Sequence, residues 1–130
     1  MGARYTHKNI AEVKDSAPDF DLGENQEARF ATKDLDATDT GFSFHRLKPG
    51  KRQGFAHRHD GAEEVYFVVT GSGRMKLDDD IVDLREQDVV RVDAGVTRAF
   101  EAGESGLEVL AFGSHHPEDR GEIFPGWWSD

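Results

Sequence analysis

The chain has no cysteine, which excludes disulfide bonds and thiolate ligands and leaves imidazole nitrogen and carboxylate oxygen to hold any metal. No apolar run approaches the length of a membrane helix, and the first residues lack the apolar core of a secretion signal. Cytoplasmic residence without a membrane partner is the expectation. Met1-Gly2-Ala3-Arg4-Tyr5-Thr6 formally fits a myristoylation pattern, but so short a motif is easily met by chance. A basic excess is also missing: 16 Lys and Arg stand against 26 Asp and Glu, a formal net charge of −10. That balance repels phosphate backbones and anionic lipid, so neither nucleic acid nor a membrane surface is an expected partner. Arg46, Lys48, Lys51, Arg52 and Arg58 form a local exception, read as solvated loop charge or as attraction of an anionic substrate towards a cavity mouth. Internal repeats, low-complexity segments and linkers are absent, and 130 residues suit one domain with one core.

What is present is β-rich. From Thr40 onwards, short apolar runs alternate with Gly, Asp and Ser clusters, which predicts strands near 41–47, 55–59, 64–70, 73–77, 81–84, 88–92, 97–101 and 107–113. Before them, Ile10 to Val13 can form one helical turn that Pro18 stops, and Ala28 to Thr32 an outer strand. Gly71-Ser72-Gly73 lacks the lysine and helix of a phosphate loop and reads as a hairpin turn. Asp78-Asp79-Asp80 lacks the glycine and distal glutamate of a calcium loop and reads as a turn too. Gly103 to Gly106 is expected to join the last two strands.

The chemistry-bearing cluster is His57-Arg58-His59 followed by Glu64. Side chains at i and i+2 of a strand share a face, so both imidazoles aim one way. If strands 55–59 and 64–70 pair as a hairpin, Glu64 faces them across the ladder. Two histidines and a carboxylate are a set that holds Fe(II), Mn(II) or Zn(II). Continued alternation places Phe55 beside the histidines, Tyr66 and Val68 beside Glu64, and Phe100 beside Arg98. The result is an apolar pocket with a few converging polar groups, the usual character of a small-molecule site. Phe55, Val68 and Phe100 equally suit plain core packing.

His57-x-His59-x4-Glu64-x6-Gly71, preceded by Pro49-Gly50, resembles the first motif of the cupin superfamily. The stretch from Gln87 to Ala102 resembles a degenerate second motif. Gly95 matches its central glycine, whereas Gln87, Asp93 and Ala102 replace its first glycine, proline and asparagine. Arg98 stands where cupins carry a further metal-binding histidine. The resemblance spans about residues 41–113 and is greatest to small single-domain cupins. It implies an all-β cupin jelly-roll β-barrel: an N-terminal arm over 1–38, the barrel core over 39–114, and a C-terminal tail over 115–130. A homodimer is implied as well.

Guanidinium has no acceptor atom and remains protonated, so Arg98 cannot coordinate a metal. Three readings follow. In the first, His57, His59 and Glu64 hold a divalent metal (Fe, Mn, Ni or Zn) while Arg98 clamps an anionic or oxygenated substrate, with Tyr66, Phe55 and Phe100 lining its pocket. A divalent ion and a guanidinium about 6 Å apart repel by about 5 kcal/mol at an effective dielectric near 20, so an anion must offset them. In the second, no metal is bound, Arg98 pairs with Glu64, and the domain senses or isomerises a small ligand. In the third, the pair is structural and the domain works through an interface. His45, His115 and His116 are further candidates for a metal shell, but none joins the set on sequence alone; His7 falls in the N-terminal arm. The apolar tail, Ile123-Phe-Pro-Gly-Trp-Trp128, must dock somewhere. The outside of its own barrel or a partner subunit is expected, with a lid over the cavity as the alternative.

Overall fold

The computed structural model describes residues 4–115 and 121–129; His116 lies outside them. Among the described residues, two 3₁₀ turns, Ile10–Glu12 and Ala17–Phe20, precede eight strands: β1 Gln26–Phe30, β2 Thr40–Leu47, β3 Phe55–Arg58, β4 Glu64–Leu77, β5 Asp80–Leu84, β6 Val89–Val92, β7 Arg98–Ser114 and β8 Glu122–Pro125. Pro18 sits in the first turn of the second 3₁₀ segment rather than stopping the first. Its missing N–H and fixed φ are harmless there. Among the described residues, no helix is long and apolar enough to cross a membrane.

The strands form one curled antiparallel sheet, ordered β1-β2-β7-β3-β8, with β4 pairing β5, β6 and β7. Curling closes it around a core that includes Leu47, Tyr66, Val68, Met75, Phe100, Leu107 and Val109, all 2% exposed or less. Each contributes about 1.5–3 kcal/mol of burial. Alternation therefore reads correctly as inward and outward faces.

Two expected turns are not turns. Gly71-Ser72-Gly73 lies inside the continuous strand β4, and Gly103 to Gly106 inside the continuous strand β7. The two segments face each other where the ladder shifts register, between Val68 and Thr70 and again between Gly71 and Gly73. A Cβ on Gly71 would lie 2.0 Å from the Gly106 carbonyl oxygen, and one on Gly73 2.0 Å from that of Glu101. These glycines thus permit a bulge and a further register shift at which both long strands bend together, so that the sheet curls without breaking. By contrast, Asp78 and Asp79 do form the tight turn between Leu77 and Asp80.

The expected hairpin between the histidine strand and the Glu64 strand is also absent. β3 pairs with β7 and β8, whereas β4 pairs with β5, β6 and β7. His57 has Arg98 opposite it in the ladder, and Glu64 has Val92 and Gly113. Glu64 meets the histidines across the barrel interior instead.

After residue 121 the chain adds β8 to the free edge of β3, with Ile123 opposite His57. Trp128 then packs, 8% exposed, on Ala56 and Ala99. The guanidinium carbons of Arg52 and Arg74 lie 4.6 and 5.3 Å from its ring centroid, and Arg52 Nη1 donates to the Trp128 carbonyl at 2.9 Å. Since Ala56 and Ala99 alternate with the inward residues His57 and Arg98, this contact is on the outer face.

Candidate metal centre and cavity

The concave face encloses a cavity of about 400 Å³, within the range of small-molecule sites. Its wall follows from strand register. Glu64, Tyr66 and Val68 of β4 lie opposite Gly113, Ala111 and Val109 of β7. Those three lie opposite Gly41, Ser43 and His45 of β2. Paired residues share a face, so Gly113 and Ala111 of β7 leave room between the polar groups of β4 and β2, while Val68 and Val109 pack in the core below. Phe20, Phe30, Phe55 and Phe100 supply apolar walls, and His57, His59, Glu64, Tyr66 and His45 polar ones.

His57, on β3, and His59, just past its end, have ring centroids 5.2 Å apart. Backbone pairing of the His59 N–H with the Ala94 carbonyl, at 2.9 Å, fixes the second imidazole beyond the strand. Nε2 of His57 and Nε2 of His59 stand 3.4 and 3.2 Å from Glu64 Oε1. Ligand atoms of the three residues all lie within 4.8 Å of one another. Two donors bound about 2.1 Å from one ion, at octahedral to tetrahedral angles, are about 3.0–3.4 Å apart. The donor types, and the spacing of each imidazole nitrogen from the carboxylate, fit a first-row divalent metal.

Glu64 Oε1 is also where the remaining polar groups converge. Arg98 Nη2 donates to it at 2.7 Å, and the Tyr66 hydroxyl donates a short hydrogen bond to it. Burial opposes ionisation of Glu64, but hydrogen bonds from His57, His59 and Tyr66 outweigh it and hold the carboxyl well below the usual carboxylate range. Burial, with the neighbouring Glu64 charge, pushes the Tyr66 phenol up, so it stays a donor.

Arg98 is not where an anion clamp must be. It is 0% exposed and is not part of the cavity wall. Nε donates to the Tyr66 hydroxyl at 3.1 Å, while Nη1 donates to the carbonyls of Val96 at 2.7 Å and Ala94 at 3.3 Å. Its donors tie the turn around Gly95 to Glu64 and Tyr66. The expectation that Arg98 grips substrate is therefore corrected: the guanidinium stands behind Glu64.

Of the other sequence-selected residues, Tyr66, Phe55 and Phe100 line the cavity. Phe55 is met edge-on by Phe20 at 5.6 Å, and Tyr66 by Phe100 at 5.1 Å. His115, just past the end of β7, reaches the cavity rim, where its N–H bonds to the Asp39 carbonyl at 2.9 Å. Sequence reasoning misses Ser43 and leaves His45 unplaced. The alternation Ser43-Phe44-His45 is a usable signal, but only register with β7 shows which face points inward.

Comparison with known proteins agrees with this architecture. The cupin domain family model matches residues 43–112, over half of the chain, and the chain belongs to that family. An oxalate-binding protein of Thermotoga maritima is 32% identical over 71 residues, covering 54% of this chain and 58% of that protein. The chain thus spans little more than half of that relative. A cupin protein from Bacteroides fragilis superposes with a TM-score of 0.71 at 19% identity, over 90% of this chain and 89% of the other. A single-substitution variant of oxalate decarboxylase from Bacillus subtilis superposes with a TM-score of 0.75 at 19% identity, over 95% of this chain and 33% of that one. At such identities the structural likeness establishes the fold.

Proposed function

We propose that this cupin domain binds a small oxygen-bearing molecule in its cavity, beside a divalent metal ion held by His57, His59 and Glu64. The observation that carries the reading is the approach of both Nε2 atoms to one carboxylate oxygen, at 3.4 and 3.2 Å. When bound, such an ion acts as a Lewis acid on a ligand oxygen. The residues around it have separate tasks. Arg98 and Tyr66 fix the Glu64 carboxylate, as outer partners of a metal ligand do. Phe55 and Phe100 supply the apolar wall. Two of the similar proteins are named for oxalate, which supports a small oxygenated ligand, as does the curl of the sheet around a cavity of that size.

Crowding at Glu64 Oε1 favours a specific second reading. Arg98 already supplies a fixed positive charge to that oxygen at 2.7 Å, so the same cavity would bind its ligand with no metal. Elemental analysis of tag-free protein separates the two: near-stoichiometric Fe, Mn, Ni or Zn supports the first, and metal-free protein from metal-supplemented growth supports the second. A cytoplasmic homodimer is the proposed setting, on the family resemblance, and light scattering on the full chain tests the dimer.

A further inference from the structure

Large apolar side chains stand around the cavity without being closed into the core. Phe20, Phe30 and Ile123 line it while 55%, 55% and 56% exposed, and Phe55 lines it partly buried. Strand register aims them inward. Phe30 lies opposite Ser43, Ser43 opposite Ala111, and Ala111 opposite Tyr66. Ile123 lies opposite His57. Phe55 shares the face of His57 by alternation, and the Phe20 ring meets Phe55 edge-on at 5.6 Å. Apolar surface left open to water on a concave face favours an apolar body that covers it.

The charges around this wall are already answered. Arg58 is the one lysine or arginine among the described lining residues, and it pairs with Glu122 at 2.8 and 3.2 Å, its guanidinium carbon 5.3 Å from the Phe124 ring centroid. No described lysine or arginine is left in the wall to receive a second acidic group on a ligand. The origin of the wall also sets it apart from the barrel core: Phe20 and Phe30 precede the residues that match the cupin domain, 43–112, and Ile123 follows them. The arms on either side of the matched residues therefore supply most of it.

We infer that the ligand is amphipathic: a single oxygen-bearing end meets the group of His57, His59 and Glu64, and an apolar body, a ring or a branched chain, lies against Phe20, Phe30, Phe55 and Ile123. The inference rests on the small-molecule reading and narrows it. A dicarboxylate as short as oxalate has no apolar body to cover the wall, and a longer one would bury its second charge where no described lysine or arginine answers it. A cavity of about 400 Å³ has room for a benzene-sized ring with its acidic arm.

The test titrates the full-length protein with acetate, phenylacetate and para-carboxyphenylacetate by NMR chemical-shift perturbation, once with added Zn(II) and once in EDTA. Acetate and phenylacetate share one head and differ by the ring. Wild type is expected to bind phenylacetate about 10-fold or more tightly than acetate, the factor that burial of about half the ring's surface supplies. The second carboxylate of para-carboxyphenylacetate should remove most of that gain. Phe30→Ser and Ile123→Ser, at side chains half open to solvent, should each lower the phenylacetate-to-acetate ratio about 3-fold while leaving acetate affinity unchanged. Phe30→Leu should keep the ratio. A wild-type ratio near one, a ratio that neither serine variant lowers, or equal binding of the two ring compounds overturns the inference, while acetate binding leaves the ligand site in place. A folded wild type that binds none of the three in either condition overturns the small-molecule reading together with it.

Discussion

Arg98 Nη2 lies 2.7 Å from Glu64 Oε1, and the residue that replaces a cupin histidine thereby acts on the carboxylate beside it instead of on a metal. This pair joins two halves of the barrel, since Arg98 begins β7 and Glu64 begins β4. Within one ladder they are far from neighbours.

Removing Arg98 should therefore damage the fold first. Arg98→Met leaves Glu64 buried without its cation and leaves the Val96 and Ala94 carbonyls without a donor. Breaking a buried pair in this way costs about 3–5 kcal/mol, readable as a lower urea midpoint. Arg98→Lys should recover only part of the loss, because an ammonium cannot reach Tyr66, Glu64 and the turn together. An unchanged midpoint in Arg98→Met would show the network to be energetically idle.

His45 gives stability a defined pH dependence. Burial, and then the nearby His57, lower its pKa from 6.5 to about 4, against the opposing pull of Glu64. Between those values the unfolded chain binds a proton that the folded chain refuses. Stability is thus full above about 6.5 and falls as pH drops towards 4, by on the order of 3 kcal/mol for this group. Glu64, whose folded pKa is depressed, adds its loss lower down, as pH falls below its ordinary value of 4.5. Urea unfolding at pH 7 and pH 4.5 should show a smaller difference in His45→Asn than in wild type; equal differences would remove His45 from the account.

Much of the fold is legible in the sequence because alternation and glycine placement are local signals. Alternation brings His57, His59, Glu64 and Tyr66 together as neighbours even though the hairpin invoked to join them does not exist. Inward-facing residues of a closed barrel converge whichever strands pair. What the sequence hides is register. Gly71 and Gly73 look like a turn from either side, and only their approach to Gly106 and Glu101 makes them a bulge. Arg98 reads as substrate-facing because nothing local shows that its donors are consumed by the turn around Gly95.

That bulge makes a sharp prediction of its own. Gly71 has φ 84° and no room for a Cβ beside the Gly106 carbonyl, so Gly71→Ala should cost more than the roughly 1 kcal/mol of an ordinary left-handed glycine. Gly50, at φ 73° with nothing within 4 Å of a built Cβ, is the matched control. Equal losses in thermal midpoint for the two variants would argue against the close crossing.

The docked tail should matter to stability as well. Trp128→Ala deletes an indole held by Arg52 and Arg74 over Ala56 and Ala99, with an expected loss of about 3 kcal/mol. Truncation after residue 122 should cost more, since β3 then loses most of its β8 partner. Differential scanning calorimetry checks both, and an unchanged melting curve would show the tail to be a bystander.

On the proposed reading, His57, His59 and Glu64 collect one metal ion while Arg98 holds Glu64 from behind. Calorimetric titration of Mn(II) and Zn(II) into EDTA-stripped, tag-free protein tests it most directly, with His57→Ala alongside. One ion bound per chain in wild type, and none in a folded His57→Ala protein, is the predicted result. Absence of binding in wild type, or equal stoichiometry in the variant, would contradict it.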